Sequence, residues 1–274
     1  MNGPELLAAH AGILRTKVGA CWPGTRAVFR GHDLHHELRD ADWLELYLFG
    51  ITGRRFTPQQ VRLLHGIWVI TSYPDPRLWN NRVAALAGSA RSSPVLGITA
   101  ALAVSEANIY GGLPGVRAID FFLRAGKSLD SGMSAHEIVT QELAEHQVIF
   151  GYGRPINSCD ERLPWLAGLA KEQGLDQGIH FRLAFEVEKI LLGMGKPSLR
   201  MNYAGMTSAL GADLGLTPRE FHIFRVPMFL AGMPPCWVEA AEKPEGTLFP
   251  TPCGDIAYEG VAQRPWRGKL LEKQ

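Results

Sequence analysis

Apolar side chains recur at helical spacing along several long segments of the chain. One segment follows Thr57-Pro58-Gln59-Gln60, in which a capping hydroxyl, a proline at the first helical position and a glutamine three residues after the cap mark a helix start. Leu64 and Ile67 belong to the apolar stripe behind it. The same capping pattern starts at Thr217 and, without the proline, at Ser134. These three starts predict a mainly α-helical protein.

Three further segments are predicted as helices. Residues 177–192 carry an apolar stripe that stops at Gly193, shortly before a proline. Residues 81–88 and 94–109 are rich in alanine and apolar on nearly all sides, which is typical of helices buried in the middle of a bundle. Evidence for strands is limited to residues 27–30.

The composition is that of an ordinary globular protein, with 46% hydrophobic residues, 20% charged residues, and 28 basic against 27 acidic side chains. A nucleic-acid partner is not expected, because phosphate binding needs clustered Lys and Arg. No apolar stretch approaches the ~20 residues that span a bilayer, and the N-terminus lacks a basic segment followed by an apolar one. We therefore expect no membrane partner and a cytoplasmic location.

Metal-binding residue types form no convincing pattern. The four cysteines are far apart and include no Cys-x-x-Cys pair, which argues against a zinc site and against a disulfide framework. His32 and His36 could share one face of a helix, with His35 beside them, but a third ligand of obvious spacing is missing. A cluster of surface histidines is the favoured interpretation, so no metal is expected.

The 30 glycines and 18 prolines concentrate at junctions between the predicted helices, where functional residues are common. Residues 111–115 and 151–153 would let a backbone approach a phosphate or thioester closely, although such sequences are more often turns. Arg154 and Arg162 could bind a carboxylate or phosphate through paired hydrogen bonds. The alternative is a solvated loop arginine together with an ion pair to an acidic residue of the same loop.

Taken together, these junctions resemble the loops of the citrate synthase family, including its citryl-CoA lyase-type members. The matching segments are Arg30-Gly31-His32-Asp33-Leu34 for Arg-Gly-Tyr-Asp-Ile, Gly111-Gly112 for the end of His-Gly-Gly-Ala, Gly151-Tyr152-Gly153-Arg154 for Gly-Phe-Gly-His, Asp160-Glu161-Arg162 for Asp-Pro-Arg, and Met201-Asn202-Tyr203-Ala204-Gly205 where the family has Asn-Val-Asp. Their order and spacing agree along nearly the whole chain.

The resemblance implies a mainly α-helical fold of two domains with a cleft between them. The large domain would comprise residues 1–112 and 208–274, and the smaller helical domain residues 113–207. It also implies a homodimer that acts on a CoA thioester, as substrate and without a separate cofactor. The thioester is deprotonated at its methyl carbon to attack a ketone, or the reverse cleavage occurs, and an acid and a base must flank the bond.

The residues that carry this chemistry in the family are exchanged here. The histidine that stabilises the enol aligns with Tyr110, the histidine that protonates the ketone oxygen with Arg154, and the aspartate base with Ala204. A substrate-binding histidine and arginine align with about Pro74 and with Phe229. Losing the base and the acid together argues against conventional citrate synthesis.

One of the family's substrate arginines is kept as Arg162. The loop that brings basic residues to the CoA phosphates reads Asn157-Ser158-Cys159 and is one residue shorter. We predict Tyr110, Arg154 and Asp75 as catalytic residues, with Asp75 as a substitute base from the loop on the family's substrate side. The predicted substrate-binding residues are Arg162, Asn202, Gly111, Gly112, Gly151 and Gly153.

Two hypotheses of function follow from these exchanges. In the first, the protein makes or breaks a carbon–carbon bond between an acyl-CoA thioester and a small oxo- or carboxylic acid, using a non-standard active site. In the second, it is a catalytically inactive member of the family that binds a ligand or a partner.

Overall fold

The computed structural model describes residues 2–154 and 159–264, and these ranges fold mainly into α-helices. The helices are α1 (Gly3–His10), α2 (Trp43–Thr52), α3 (Pro58–Thr71), α4 (Trp79–Ser89), α5 (Pro94–Val104), α6 (Gly112–Asp130), α7 (Ala135–His146), α8 (Leu163–Glu172), α9 (Ile179–Gly193), α10 (Tyr203–Asp213), α11 (Pro218–Arg225) and α12 (Met233–Glu242). None of the helices in these ranges is long and apolar enough to cross a membrane. The mainly α-helical fold class is confirmed.

The predicted capping boxes are present at their predicted positions. The Thr57 hydroxyl accepts the N–H of Gln60 at 3.3 Å, and the Gln60 side chain accepts the N–H of Thr57 at 2.9 Å. The same reciprocal pair opens α7 at Ser134 and α11 at Thr217. Each box satisfies N–H groups that the first helical turn leaves without a carbonyl partner, so these three helix starts are fixed locally.

A small antiparallel sheet precedes α2. Its strands are β1 (Gly19–Trp22), β2 (Arg26–Phe29) and β3 (His32–Asp33), paired in that order. The sequence pattern predicted only the middle strand, because β1 begins with Gly19-Ala20, which are poor strand formers, and β3 has only two residues. His35 and His36 donate their backbone N–H groups to the Asp33 carboxylate at 2.9 Å, so this segment forms a turn and not a helix.

The two alanine-rich segments form α4 and α5, with one difference from the prediction. α5 ends at Val104 rather than near residue 109, and it is not enclosed, since Val95 and Leu96 are 73% and 67% exposed. One side of α5 packs on α4 and α12. A helix that is apolar on nearly all sides is therefore left with an uncovered apolar face in the single chain.

The main core joins helices from both predicted domains. It runs through α2, α3 and α6 to α11 and is centred on four aromatic side chains, Phe121, Phe122, Phe221 and Phe224. α6 lies at its middle and packs on α9, α10 and α11. A smaller cluster joins α4, α5 and α12. The boundaries at residues 112 and 207 stay a prediction.

Candidate active site

The turn before α6 presents Tyr110 at the protein surface. Gly111 has a φ of 76°, and a side chain there would overlap the carbonyl oxygen of Ser105. The N–H of Gly112 donates to the same oxygen at 2.8 Å. Tyr110 is 44% exposed, and its ring stacks on Trp79 with 6.1 Å between the ring centroids. The backbone of this loop therefore needs a glycine at position 111, whereas Gly112 contributes a backbone N–H that most residues could supply.

A buried arginine supports that loop from beneath. Arg225 is 4% exposed and donates from Nη1 to the carbonyl of Gly112 and from Nη2 to that of Gly111, both at 3.0 Å. Its Nε is buried and has no hydrogen-bond partner within the described residues. Burial lowers the pKa of Arg225 to about 10. A buried cation bonded to neutral carbonyls, with a donor to spare, favours an anionic ligand.

Arg225 lines a cavity of about 320 Å³ between α5, the first turn of α6 and α11. Its walls are mostly apolar and include Leu102 and Phe229. The polar exceptions besides Arg225 include Glu106 and His222, whose Oε2 and Nε2 atoms lie 3.4 Å apart. An apolar cavity with a few convergent polar groups is the usual form of a small-molecule site.

Arg162 stands in a second polar cluster, beside the buried Asp160. The carboxylate of Asp160 accepts Nε and Nη2 of Arg162, both at 2.8 Å, and the backbone N–H of Tyr203 at 2.9 Å. Burial acts to raise the pKa of Asp160, but these hydrogen bonds outweigh it and hold the pKa below its ordinary value. The charge of Arg162 is thus matched by an acidic residue of its own loop.

Arg154 belongs to the same loop and is also paired. Its Nη1 donates to the carbonyl of Cys159 at 2.8 Å and to the carboxylate of Glu161 at 3.1 Å. Glu161 accepts a further hydrogen bond from the hydroxyl of Tyr73 at 2.9 Å. The predicted CoA loop falls partly outside the described residues, because Asn157 and Ser158 are not among them.

The glycine loop before Arg154 is joined to the start of α10. Asn202 donates its N–H to the carbonyl of Gly151 at 2.9 Å and its side-chain amide to that of Gly153 at 2.7 Å. The Asn202 side chain also caps α10 by accepting the N–H of Gly205 at 3.2 Å. A side chain on Gly151 would come within 2.6 Å of the Gly205 Cα. These predicted binding residues therefore hold the two loops together.

Tyr203 connects the two polar clusters. The Arg162 guanidinium lies 4.4 Å from the centroid of the Tyr203 ring, and the Tyr203 hydroxyl donates to the carbonyl of Ile67 at 2.7 Å. Burial raises the pKa of Tyr203, while the charges of Arg225 and Arg162 act in the opposite direction. The structure thus brings Arg162 and Arg225 to one buried tyrosine.

The carboxylate of Asp75 forms an ion pair with Arg77. Its carboxylate accepts Nε of Arg77 at 3.1 Å and Nη2 at 2.7 Å, and this pairing lowers the pKa of Asp75 to about 2. A carboxylate with so low a pKa is a weak proton acceptor. Among the residues that the structure describes, no group of three or more His, Cys, Asp or Glu is arranged to hold a metal ion.

Sequence reasoning missed Glu106, His222 and Arg225, although Arg225 left a signal. It stands four residues after Phe221, on the apolar stripe of a predicted helix. A charged residue in such a position is rarely buried without a partner, so it indicates a functional or structural role. In the sequence, the family's substrate arginine aligns with Phe229. In the structure, Arg225 lines the same cavity one helical turn earlier.

No protein-family model matches the chain, and no curated protein sequence matches it. Among solved structures, citryl-CoA lyase from Hydrogenobacter thermophilus has a TM-score of 0.81 at 19% identity, with 93% of this chain and 98% of that chain covered. ATP citrate lyase from Methanothrix soehngenii, solved with citrate and coenzyme A, has a TM-score of 0.70 at 17% identity, with 98% of this chain but only 46% of that chain covered.

A third similar structure is the citrate synthase of Thermoplasma acidophilum, solved with carboxymethyl coenzyme A and oxaloacetate. It has a TM-score of 0.64 at 17% identity over 84% of this chain and 60% of that chain. The expected fold is thereby confirmed, and the match to the lyase is nearly end to end. This chain has the fold that citryl-CoA lyases share with citrate synthases.

Proposed function

We propose that the protein binds an acyl-CoA thioester together with a small oxo- or carboxylic acid and makes or breaks a carbon–carbon bond between them. The observation that carries this proposal is Arg225, a buried cation with an unpartnered Nε in an apolar cavity of about 320 Å³. The fold adds support, because it is that of a citryl-CoA lyase over nearly its whole length.

The roles follow from the positions of the side chains. Arg225 would bind the carboxylate of the acid, since its free donor needs an anionic acceptor. Tyr110 does not line the cavity itself but stands on the loop that Arg225 supports, and from there it would donate its hydroxyl to the enolate oxygen of the thioester. The apolar walls around Leu102 and Phe229 would exclude water and so strengthen both interactions. The CoA thioester would be a substrate, with no further cofactor.

A non-catalytic binding protein is the competing proposal, and specific observations favour it. Ala204, at the position that aligns with the family's base, cannot accept a proton. Arg154 and Arg162 are paired with Glu161 and Asp160 and need no ligand to balance their charge. A pocket of this kind would bind a ligand without turning it over.

We also propose that two copies of the chain pair through α5. Along this helix the exposed residues Val95, Leu96, Thr99, Ala100, Ala103 and Val104 form one face, with small side chains in its middle. Small residues let two helices approach closely, and a two-fold axis would bury the same face of both copies. Thr99 and Ala103 also line the cavity, so a partner here would cover its rim.

Calorimetry with acetyl-CoA, CoA, citrate and oxaloacetate tests the binding proposal. We expect the wild type to bind members of both ligand classes. Arg225→Gln should weaken binding of citrate and oxaloacetate by about 10- to 100-fold, the worth of one charged hydrogen bond, and should spare CoA. Arg182→Gln, which alters an exposed arginine of α9, is the control. No binding of any of the four ligands would refute the proposal.

Thiol release from acetyl-CoA in the presence of 2-oxo acids tests catalysis. Turnover that falls in Tyr110→Phe would support the assigned role of its hydroxyl. Activity unchanged in Tyr110→Phe and Arg154→Ala would remove both residues from the mechanism. Tight binding without any turnover would decide for the non-catalytic alternative.

A further inference from the structure

A second cavity lies between α6 and α7 and shares no residue with the Arg225 cavity. Its volume of about 370 Å³ falls within the range of small-molecule sites. The charged groups of its lining are two cations of α6, Arg124 and Lys127, and two anions of α7, Glu142 and Glu145. The proposed function uses none of these side chains.

One cation and one anion of this cavity neutralise each other. Arg124 donates from Nη1 and Nη2 to the two carboxylate oxygens of Glu142, at 2.9 and 3.0 Å. Its Nε donates to the carboxylate of Asp120 at 2.9 Å. Glu142 is 6% exposed, and such a bidentate pair is among the strongest hydrogen-bonded contacts in proteins. The pair therefore ties α6 to α7 and is balanced without a ligand.

Lys127 and Glu145 line the same cavity but form no ion pair with each other. Lys127 is exposed, and its ammonium group has no hydrogen-bond or ion-pair partner among the described residues. One carboxylate oxygen of Glu145 accepts the side-chain amide of Gln141 at 2.7 Å, and Nε2 of His146 lies 3.9 Å from the other. An ammonium group has three donors and a carboxylate about four acceptor sites, so both groups can still bind a ligand.

The rest of the lining includes an apolar surface. Ala125 of α6 and Ile138 of α7 are buried, whereas Met133, in the turn between the two helices, is 36% exposed. The N–H of Met133 donates to the carbonyl of Ser128 at 3.0 Å, which holds this turn against the end of α6. A methionine side chain adapts its shape to apolar neighbours, so its exposure at a cavity suits an apolar group of a ligand.

We propose that this cavity is a binding site for an α-amino acid with an apolar side chain. In this arrangement Lys127 binds the carboxylate of the ligand, Glu145 binds its ammonium group, and Met133 contacts its side chain. A simple anion would be attracted by Lys127 but repelled by Glu145, and a simple cation would meet the opposite charges. A ligand that carries both charges satisfies both helices. The proposal does not depend on the proposed function.

The helix α6 carries this site at one end and the Arg225 cavity at the other. It has 19 residues and begins at Gly112, which lines the Arg225 cavity, whereas Lys127 lies in its last turn. With a rise of about 1.5 Å per residue, the two positions are about 22 Å apart along the helix. An amino acid bound between α6 and α7 would therefore not compete with a ligand of the Arg225 cavity.

Calorimetry with L-leucine, 4-methylpentanoate and 3-methylbutylamine tests the site. The second compound lacks the ammonium group of leucine, and the third lacks its carboxylate. We expect L-leucine to bind and each singly charged compound to bind at least about 10-fold more weakly, which is the worth of one charged hydrogen bond. Leucine affinity should be unchanged in Arg225→Gln, because the two cavities share no residue.

Variants of the lining identify the cavity as the place of binding. Lys127→Gln and Glu145→Gln should each weaken leucine binding by about 10- to 100-fold, and Met133→Ala should reduce the preference for L-leucine over glycine. Lys171→Gln and Glu172→Gln, at exposed residues of α8, are the matched controls and should bind leucine as the wild type does. Thermal melting establishes that each variant is folded.

Each outcome supports or refutes the site. A folded wild type that does not bind L-leucine would refute it. Leucine affinity that stays unchanged in both Lys127→Gln and Glu145→Gln would exclude this cavity as the place of binding. If either singly charged compound binds as tightly as L-leucine, the assignment of a doubly charged ligand is wrong. The assays with CoA, citrate and oxaloacetate are separate, so this inference and the proposed function can fail independently.

Discussion

At the scale of single residues, the charged groups of the interior differ in how they are balanced. Asp160 is matched within its own loop by Arg162, whereas Arg225 bonds only to neutral carbonyls among its assigned hydrogen bonds. A buried ion pair in which the two charges balance each other, such as Asp160 with Arg162, has a structural role. No acidic side chain among the described residues forms an ion pair with Arg225, although the charge of Glu106 acts on it, and a buried cation of this kind gains stability from an anionic ligand.

Replacing Asp160 should destabilise the folded protein. Asp160→Asn leaves the Arg162 guanidinium without its anion, and we expect a loss of about 3 kcal/mol in the free energy of unfolding, in line with broken buried pairs. Urea denaturation followed by circular dichroism measures it. Asp40→Asn, which removes an exposed pair with Arg39, is the control and should leave the midpoint in place. A midpoint equally unchanged in Asp160→Asn would contradict the assigned role.

The same carboxylate predicts a pH dependence. The pKa of Asp160 is lower in the folded protein than its ordinary value of 3.8, so its stabilisation is present above that value. It is lost as the pH falls through the folded-state pKa. Melting curves between pH 7 and pH 2 should therefore show that the melting temperature falls more steeply with decreasing pH in the wild type than in Asp160→Asn. Parallel curves for the two proteins would argue against this linkage.

At the scale of elements, helix starts were predictable and helix burial was not. The capping boxes at Thr57, Ser134 and Thr217 involve residues three positions apart, so they are written in the local sequence. The alanine-rich α5 was expected in the middle of a bundle, yet one face is bare. The spacing of apolar residues predicts which sides of a helix are apolar, but it does not predict which neighbouring helices cover those sides.

The contact between the glycine loop and α10 gives an element-scale prediction. A Cβ at Gly205 would come within 2.5 Å of the Gly151 carbonyl oxygen, which is backbone and cannot move aside. We expect Gly205→Ala to destabilise the protein by about 1–3 kcal/mol, as overpacking does. Gly168→Ala, inside α8 with open space around it, should instead stabilise by up to about 1 kcal/mol. Thermal denaturation compares them, and equal melting temperatures would refute the close contact.

At the scale of the whole molecule, the uncovered face of α5 and the cavity share residues. Thr99 and Ala103 belong to both, so assembly and ligand binding would be coupled if a second chain packs there. The walls of the cavity come from α5, the first turn of α6 and α11. The exact position of the predicted domain boundaries therefore matters little for this site. Residues 113–207 contribute the separate cluster around Asp160.

The proposed dimer is tested by a charge in the middle of that face. Leu96 is 67% exposed, and Leu96→Glu would place a carboxylate in the two-fold contact. We expect light scattering after size exclusion to give a dimer mass for the wild type and a monomer mass for the variant. Val148→Glu, at an exposed valine outside α5, is the control and should remain dimeric. A wild type that elutes as a monomer would refute the dimer.

The sequence by itself determined α3, α4, α5, α7, α9 and α11, the capping boxes of three of these helices and the glycine turns at Gly111 and Gly151, because each depends on residues a few positions apart. It also indicated the fold, through the order of its loops along the chain. Tertiary structure alone decided the site. Arg225 meets the carbonyl of Gly111 across 114 positions, and His222 meets Glu106 from another helix. Such contacts arise from the packing of α11 against α6, which no local pattern encodes.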